Sequence, residues 1–289
     1  AARYEKGAPH AELARLRREE PVYWQTTPDG GGYWALLKHA DVVWASRQPE
    51  RLSSARGFVV LEPLDDAQLA MMRFTLLGMD PPEHGRLRRL LLDSFTPRIV
   101  TGLEPRIRTL TRDILRRAVE RRDIDFVADA AAPLPVQVIG ELLGVPEADR
   151  PRLAAWAAQL TGSQDPEINP GGAETAPAAA IEMAGYAMEL ARARRGRSGA
   201  NLATIAVNAG AGDQAMSDAE FGGFFVQLAT AGNDTTRNLL AAGMRLLLEH
   251  PDALATLRAE PGVIPGAVEE MLRCEPPLYY FRRTATSNL

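Results

Sequence analysis

Apolar residues recur every three or four positions along most of the chain, which is the period of an amphipathic helix. One such helix is marked by Leu103, Ile107, Leu110, Ile114 and Leu115. Another is marked by Val136, Ile139, Leu142 and Leu143, and is closed by Gly144 and Pro146. The same spacing predicts further helices around residues 147–160, 178–195, 201–209 and 263–274. We therefore expect a mainly α-helical protein.

Alternation of apolar and polar residues with a period of two is rare. The best pair of alternating segments is 22–25 and 33–37, separated by a turn that contains Asp29-Gly30-Gly31-Gly32. Two such runs joined by a glycine-rich turn are typical of a β-hairpin. The expected fold class is thus mainly α with a small β region.

Composition indicates an ordinary globular domain. The chain has 289 residues, of which 46% are hydrophobic and 24% charged. The Gly/Pro-rich stretches near 162–177 and 196–200 are too short to separate domains, so we expect a single domain spanning residues 1–289. The net charge of −4 argues against a nucleic-acid-binding protein. No apolar run is long enough to predict a membrane span.

A long helix is predicted in the second half of the chain. Ser217 and Glu220 form a capping-box pattern, which is typical of a helix N-terminus. The helical spacing continues from there to His250-Pro251. Its middle, residues 232–236, contains five poor helix formers in succession, which cost about 3 kcal/mol relative to alanine. This run predicts a bent or opened helix; the alternative is a polar turn on a solvent-facing side.

The segment Ala231-Gly232-Asn233-Asp234-Thr235-Thr236 resembles the oxygen-activation motif of cytochromes P450, A/G-G-x-D/E-T-T/S. The resemblance implies the cytochrome P450 fold and a haem b cofactor lying under a groove in this helix. Ala231 and Gly232 would then lie against the cofactor, with Gly232 leaving room for dioxygen. Thr235 would hydrogen-bond the oxygen species, and Asp234 would gate proton delivery.

Two further motifs fit this resemblance. His84 and Arg88 lie four residues apart on one face of a predicted helix and are similar to the family's H-x-x-x-R pair, which grips haem propionates. Taken alone, such a pair is usually a solvated face. Arg283 resembles the arginine that contacts a propionate from a strand, although the neighbouring Arg282 is an alternative.

Glu270 and Arg273 resemble the family's E-x-x-R pair, a motif that is common in helices and weak by itself. The resemblance covers essentially the whole chain, with one departure: the segment F-x-x-G-x-x-x-C-x-G, which carries the axial cysteine, is expected beyond Leu289. We therefore expect the native product to continue past Leu289, and the ion pair to be costly without that segment. Cys274, the single cysteine, is predicted to be a buried structural side chain.

The function implied by the resemblance is monooxygenation of a lipophilic small molecule with O2. Electrons would come from NAD(P)H through a separate ferredoxin or flavodoxin. The expected pocket is lined by residues 56–79, 162–177 and 278–281 and by the first half of the long helix. The motifs look most similar to actinobacterial P450s that oxidise steroids, terpenoids or lipids. We expect a cytoplasmic location, since the N-terminal sequence shows no signal pattern. We also expect a monomer.

Two other classes of protein stay open. One is a non-catalytic helical binding protein derived from a P450. The other is a class I terpene cyclase, which Asp65-Asp66 and Asn233-Asp234 could suggest as magnesium ligands. That class is disfavoured because Leu69, Arg237 and Ala241 stand where further ligands would be needed.

Overall fold

The computed structural model describes residues 8–28, 30–59, 61, 64–92, 95–121, 123–162, 169–172, 175–199, 201–210 and 212–288. The helices are α1 (His10–Glu19), α2 (His39–Ser46), α3 (Asp66–Met72), α4 (Glu83–Leu92), α5 (Pro97–Gly102), α6 (Glu104–Val119), α7 (Pro133–Leu142), α8 (Arg150–Thr161), α9 (Thr175–Arg194), α10 (Leu202–Val207), α11 (Asp218–Glu249), α12 (Pro251–Ala259) and α13 (Ile264–Cys274). The strands are β1 (Val22–Thr26), β2 (Gly32–Leu36), β3 (Leu52–Ser53) and β4 (Thr284–Ala285). The mainly α fold with a small β region is confirmed.

The predicted hairpin is confirmed as an antiparallel pair of β1 and β2. Trp24 lies opposite Trp34 in the register, and their ring centroids are 5.0 Å apart in an edge-on arrangement. Cross-strand aromatic pairs of this kind stabilise a two-stranded ribbon. Asp29 of the predicted turn lies outside the described residues.

A second antiparallel sheet joins distant parts of the chain. Strand β3 pairs with β4, with Leu52 opposite Ala285 and Ser53 opposite Thr284. The sequence did not predict this sheet, because two-residue strands are too short to show alternation. Its effect is to bring the segment after α13 to the loop that precedes α3.

The hydrophobic core surrounds the first half of α11. Phe221 and Phe225 on α11 are fully buried, together with Leu87 of α4, Leu143 after α7 and Met183 of α9. The α11 helix packs mainly against α9, α7 and α8. From Ala231 onward α11 is less covered, so the core fixes the helix while its middle stays accessible.

The ends of α11 lie where the sequence predicts them. Ser217 and Glu220 form both hydrogen bonds of the capping box, and the helix ends before Pro251. The helix is continuous from Asp218 to Glu249, so it is not opened at residues 232–236. Packing of α11 against three other helices outweighs the low helix propensity of this run.

Candidate active site

Ala231 and Thr235 form one face in the middle of α11. They lie four residues apart, and the Thr235 hydroxyl donates a 2.6 Å hydrogen bond to the Ala231 carbonyl oxygen. Ala231 is exposed and Thr235 is half-buried among the described residues. The threonine hydroxyl is thus held in place at an accessible part of the helix.

Asp234 is held by two residues that the sequence motif did not identify. Its carboxylate forms an ion pair with Arg237, one turn further along α11. The side-chain amide of Asn238 donates a second hydrogen bond to the same carboxylate, at 3.4 Å. Because these partners stand at i+3 and i+4, the spacing alone could have suggested the pairing.

Gly232 faces a neighbouring helix. A Cβ atom at this position would lie 2.7 Å from Cδ1 of Ile139 in α7. The missing side chain therefore allows α7 and α11 to pack closely. That Gly232 also leaves room for dioxygen stays a prediction.

His84 and Arg88 lie on α4, where His84 is half-buried and Arg88 exposed. The helix begins next to Asp80, whose backbone oxygen accepts a hydrogen bond from the His84 amide at 3.1 Å. The Asp80 carboxylate accepts hydrogen bonds from the Ser53 hydroxyl and the Ser54 amide, at 2.5 and 2.8 Å. These contacts fix the start of α4 to the β3 strand.

Arg283 lies close to the corner where strand β3 meets the start of α4. Its neighbour Thr284 pairs with Ser53, and Ser53 bonds to Asp80. The residue is exposed overall, yet surrounding atoms desolvate its guanidinium and lower the pKa of Arg283, while the negative charge of Asp80 opposes this shift. The structure thus places Arg283 close to the start of the helix that carries His84 and Arg88.

The side chains of the two candidate arginines, Arg282 and Arg283, have different hydrogen-bonding partners. Arg282 donates through its backbone amide to Phe58, at 2.7 Å, and its guanidinium lies 3.5 Å from the carbonyl oxygen of Leu61. Arg282 is therefore engaged with the loop after β3. This leaves Arg283 as the better candidate for a propionate contact.

His84, Arg88 and Arg283 are donors that fit a ligand with carboxylates. Within the described ranges, none of the three forms an ion pair with a carboxylate of the chain. Arginine and histidine side chains bind carboxylates through charge-assisted hydrogen bonds. Haem b carries two propionates, so these donors suit that cofactor.

The Glu270–Arg273 pair is formed, with a 2.7 Å distance between Oε1 and the guanidinium. Both side chains are largely exposed, at 60% and 69% of their accessible area. The expectation of a costly ion pair is therefore wrong for the described chain, because water screens exposed pairs and leaves them worth little. The expectation that Cys274 is buried is also wrong, since it is half-exposed and its Sγ lies 3.3 Å from the Arg273 guanidinium.

Hydrogen bonds join the expected pocket segment 56–79 to residues 278–281 at one point and to α11 at another. The Tyr280 hydroxyl donates to the carbonyl of Val59 at 2.9 Å, which joins residues 278–281 to the loop after β3. The Leu77 amide donates to the side-chain oxygen of Gln227 in α11, at 3.2 Å. In the expected segment 162–177, residues 163–168 and 173–174 lie outside the described residues.

The chain is 37% identical over 291 residues to a steroid C26-monooxygenase of Mycolicibacterium smegmatis, covering 97% of this chain and 67% of that protein. It is 34% identical over 289 residues to a linalool 8-monooxygenase of Pseudomonas putida, covering 98% and 71%. A cytochrome P450 of Mycobacterium marinum in complex with pseudoionone matches with a TM-score of 0.89 and 34% identity, over 100% of this chain and 72% of that one.

These similarities define the fold as that of the cytochromes P450. The chain belongs to the cytochrome P450 family. It spans about two thirds of the length of its curated relatives, and 60% in the case of a steroid C26-monooxygenase of Rhodococcus jostii. No protein-family model matches the chain. Among the helices of the described part, none is long and apolar enough to cross a membrane.

Proposed function

We propose that the protein is a haem-dependent monooxygenase that hydroxylates a lipophilic organic substrate with O2 and electrons from NAD(P)H. The observation that carries the proposal is the Thr235–Ala231 hydrogen bond beside Asp234, at the accessible middle of the central helix. The family relationship to monooxygenases that are named for a steroid and for linalool supports it.

His84, Arg88 and Arg283 would hold the haem propionates. When bound, haem supplies the activation of dioxygen that allows one oxygen atom to be inserted into a C–H bond. The axial cysteine expected beyond Leu289, and the single domain over residues 1–289, stay predictions. Partial desolvation of the Arg283 guanidinium would strengthen a contact with a carboxylate.

The Thr235 hydroxyl and the Asp234 carboxylate would move protons. Because the hydroxyl hydrogen of Thr235 is directed to the Ala231 carbonyl, its lone pairs are left to accept a hydrogen bond. Asp234 is adjacent in sequence and is held by Arg237, so a proton acceptor is kept next to Thr235. A proton taken up at Asp234 would reach the substrate side through water held by Thr235.

Exposed apolar side chains in the expected pocket segments suit a lipophilic substrate. Met71, Phe74, Tyr279 and Phe281 are each between 39% and 53% exposed. A steroid or terpenoid is the class we propose, and a separate ferredoxin or flavodoxin would deliver the electrons. The cytoplasmic location and the monomeric state stay predictions.

The test is the optical spectrum of the haem-loaded, full-length protein reduced in the presence of carbon monoxide. A red-shifted thiolate–CO Soret band supports the proposal. Its absence in a folded, haem-loaded protein would contradict it and favour the non-catalytic binding protein. A screen of steroids and terpenoids for a shift of ferric haem from low to high spin would then identify the substrate class.

The terpene cyclase alternative has little structural support. Arg237 stands at a position where a magnesium ligand is required, and it pairs with Asp234. A cation that occupies the carboxylate competes with a metal ion for the same oxygens.

A further inference from the structure

The Asp80 carboxylate ties the start of α4 to strand β3. It accepts hydrogen bonds from the Ser53 hydroxyl at 2.5 Å and from the Ser54 amide at 2.8 Å. Both serines are buried, and Asp80 is half-buried. Because hydrogen bonds to an ionised carboxylate are about twice as strong as those between neutral groups, this contact is a strong link between the two elements.

Helix α4 is the fixed side of this link. Its residues Leu87 and Leu91 are buried in the core. The backbone oxygen of Asp80 accepts a hydrogen bond from the His84 amide at 3.1 Å, and a change of the Asp80 side chain leaves this oxygen in place. Loss of the carboxylate should therefore leave α4, with His84 and Arg88, in its position.

The other side of the link carries Arg283. Ser53 pairs with Thr284 in the β3–β4 sheet, and Arg283 directly precedes Thr284. The Thr286 amide extends this pairing with a hydrogen bond to the Arg51 carbonyl oxygen at 3.0 Å. Two strands of two residues each are too short to keep a fixed place without further contacts. The position of Arg283 relative to α4 therefore depends on what holds Ser53.

Asp80 is near the Arg283 guanidinium without capturing it. The charge of Asp80 opposes the desolvation that lowers the pKa of Arg283, so the two side chains are close enough to interact. In the described part of the chain they form no direct ion pair, and the Asp80 oxygens accept the bonds from Ser53 and Ser54 instead. One guanidinium nitrogen of Arg283 donates to the Arg282 carbonyl oxygen at 2.8 Å, which leaves other N–H groups for a ligand.

We propose that Asp80 is a positioning residue, whose hydrogen bonds with Ser53 and Ser54 hold Arg283 in place for a haem propionate. This inference rests on the proposed function, and Asp80 acts through Arg283 rather than by touching the cofactor. Without the carboxylate, β3 and β4 shift relative to α4, and Arg283 shifts with them. His84 and Arg88 keep their own contacts.

The test measures the rate of haem transfer to apomyoglobin from the haem-loaded, full-length protein. Asp80→Ala removes both hydrogen bonds, and we expect haem to leave about three- to tenfold faster. Asp80→Asn offers an oxygen to the Ser54 amide and an N–H group to the Ser53 hydroxyl oxygen, so it should stay close to the parent. Equally fast transfer from both variants overturns the inference, since the charge and not the hydrogen bonds would then matter.

A second comparison separates positioning from a general loss of stability. In an Arg283→Ala background, Asp80→Ala should not speed haem transfer further, because the residue through which Asp80 acts is absent. Additive effects of the two substitutions overturn the inference and leave Asp80 as a purely structural link.

Ser53→Ala keeps the test decisive if Asp80→Ala does not fold. It removes one of the two hydrogen bonds and should speed haem transfer about two- to fivefold, again only where Arg283 is present. Ser46→Ala is the matched control, because the Ser46 hydroxyl bonds to the Val42 carbonyl oxygen of its own helix at 2.8 Å. Haem retention like that of the parent in Ser53→Ala overturns the inference. Failure of the proposed function is distinguishable, since it appears as a missing thiolate–CO band in the parent.

Discussion

The Thr235 hydroxyl donates a 2.6 Å hydrogen bond to the carbonyl oxygen of Ala231, one turn earlier in α11. This bond orients the threonine lone pairs toward the accessible side of the helix. Thr235→Ala should therefore leave ligand binding intact and divert NAD(P)H electrons to peroxide. Thr235→Ser keeps the hydroxyl and should stay close to the parent. Peroxide formed per NAD(P)H consumed is the measurement, and unchanged coupling in Thr235→Ala contradicts the role.

Haem retention should depend on His84 and Arg88. Replacing His84 and Arg88 by alanine removes two charge-assisted contacts, each worth about 1.5–3 kcal/mol. We expect haem transfer to apomyoglobin to be faster by at least about tenfold, since 1.4 kcal/mol corresponds to a factor of ten. Arg89→Ala, an exposed arginine of the same helix, is the control and should retain haem like the parent. Equal retention in the double variant would show that His84 and Arg88 are a solvated surface.

The sequence predicts the bounds of an element well where neighbouring residues determine them. The capping box of Ser217 and Glu220 and the proline at 251 define both ends of α11 without any tertiary information. The β3–β4 pairing has no such signal, because it depends on Ser53 and Thr284 meeting through the folded chain.

In the candidate site, likewise, the sequence identified the motif residues but not the contacts that they make with other elements. The motif residues Thr235 and Asp234 were identified from the sequence, whereas the contact of Gly232 with Ile139 was not, because Ile139 belongs to another helix. The low helix propensity of residues 232–236 likewise did not open the helix, since packing outweighs about 3 kcal/mol of unfavourable propensity. The proximity of Arg283 to Asp80 also depends on the tertiary fold, so the sequence did not predict it.

Acid should weaken the junction between α9 and α11. The hydrogen bond from Arg195, at 2.6 Å, lowers the pKa of Asp218 below its ordinary value of 3.8, and Arg192 adds to the effect. A lowered folded-state pKa means that the stabilisation is present above the unfolded-state pKa and is lost as pH falls through the folded one.

Urea unfolding between about pH 5 and pH 3 tests this expectation. The free energy of unfolding should fall more steeply with acid in the parent than in Asp218→Asn, which cannot titrate. Asp113→Asn, at an exposed pair with Arg116, is the control and should follow the parent. Parallel pH profiles for the parent and Asp218→Asn would contradict the prediction.

Glu220 serves both the helix cap and a part-buried ion pair. Its carboxylate accepts the Ser217 amide at 2.8 Å and pairs with Arg86 of α4, whose side chain is 21% exposed. Glu220→Gln keeps an acceptor for the cap but loses the charge, whereas Glu220→Ala loses both. We expect the alanine variant to lower the free energy of unfolding by about 2–4 kcal/mol and the glutamine variant by about half as much. Chemical denaturation measures both, and equal losses would show that the cap contributes nothing.

The contact between Gly232 and Ile139 predicts an interaction that a double-mutant cycle can resolve. Gly232→Ala places a Cβ 2.7 Å from the Ile139 Cδ1 atom, and overpacking of this kind costs about 1–3 kcal/mol. The gain in helix propensity, about 1 kcal/mol, offsets part of that cost.

Ile139→Val removes the Cδ1 atom alone and costs about 0.5–1.5 kcal/mol. In that background Gly232→Ala should become neutral or stabilising, so the two substitutions should couple favourably by about 1–3 kcal/mol. Gly185→Ala in α9 is the matched control, because a Cβ there meets nothing within 4 Å and should stabilise in either background. Additive effects at 232 and 139 in urea denaturation would show that α7 and α11 do not need the glycine for their close packing.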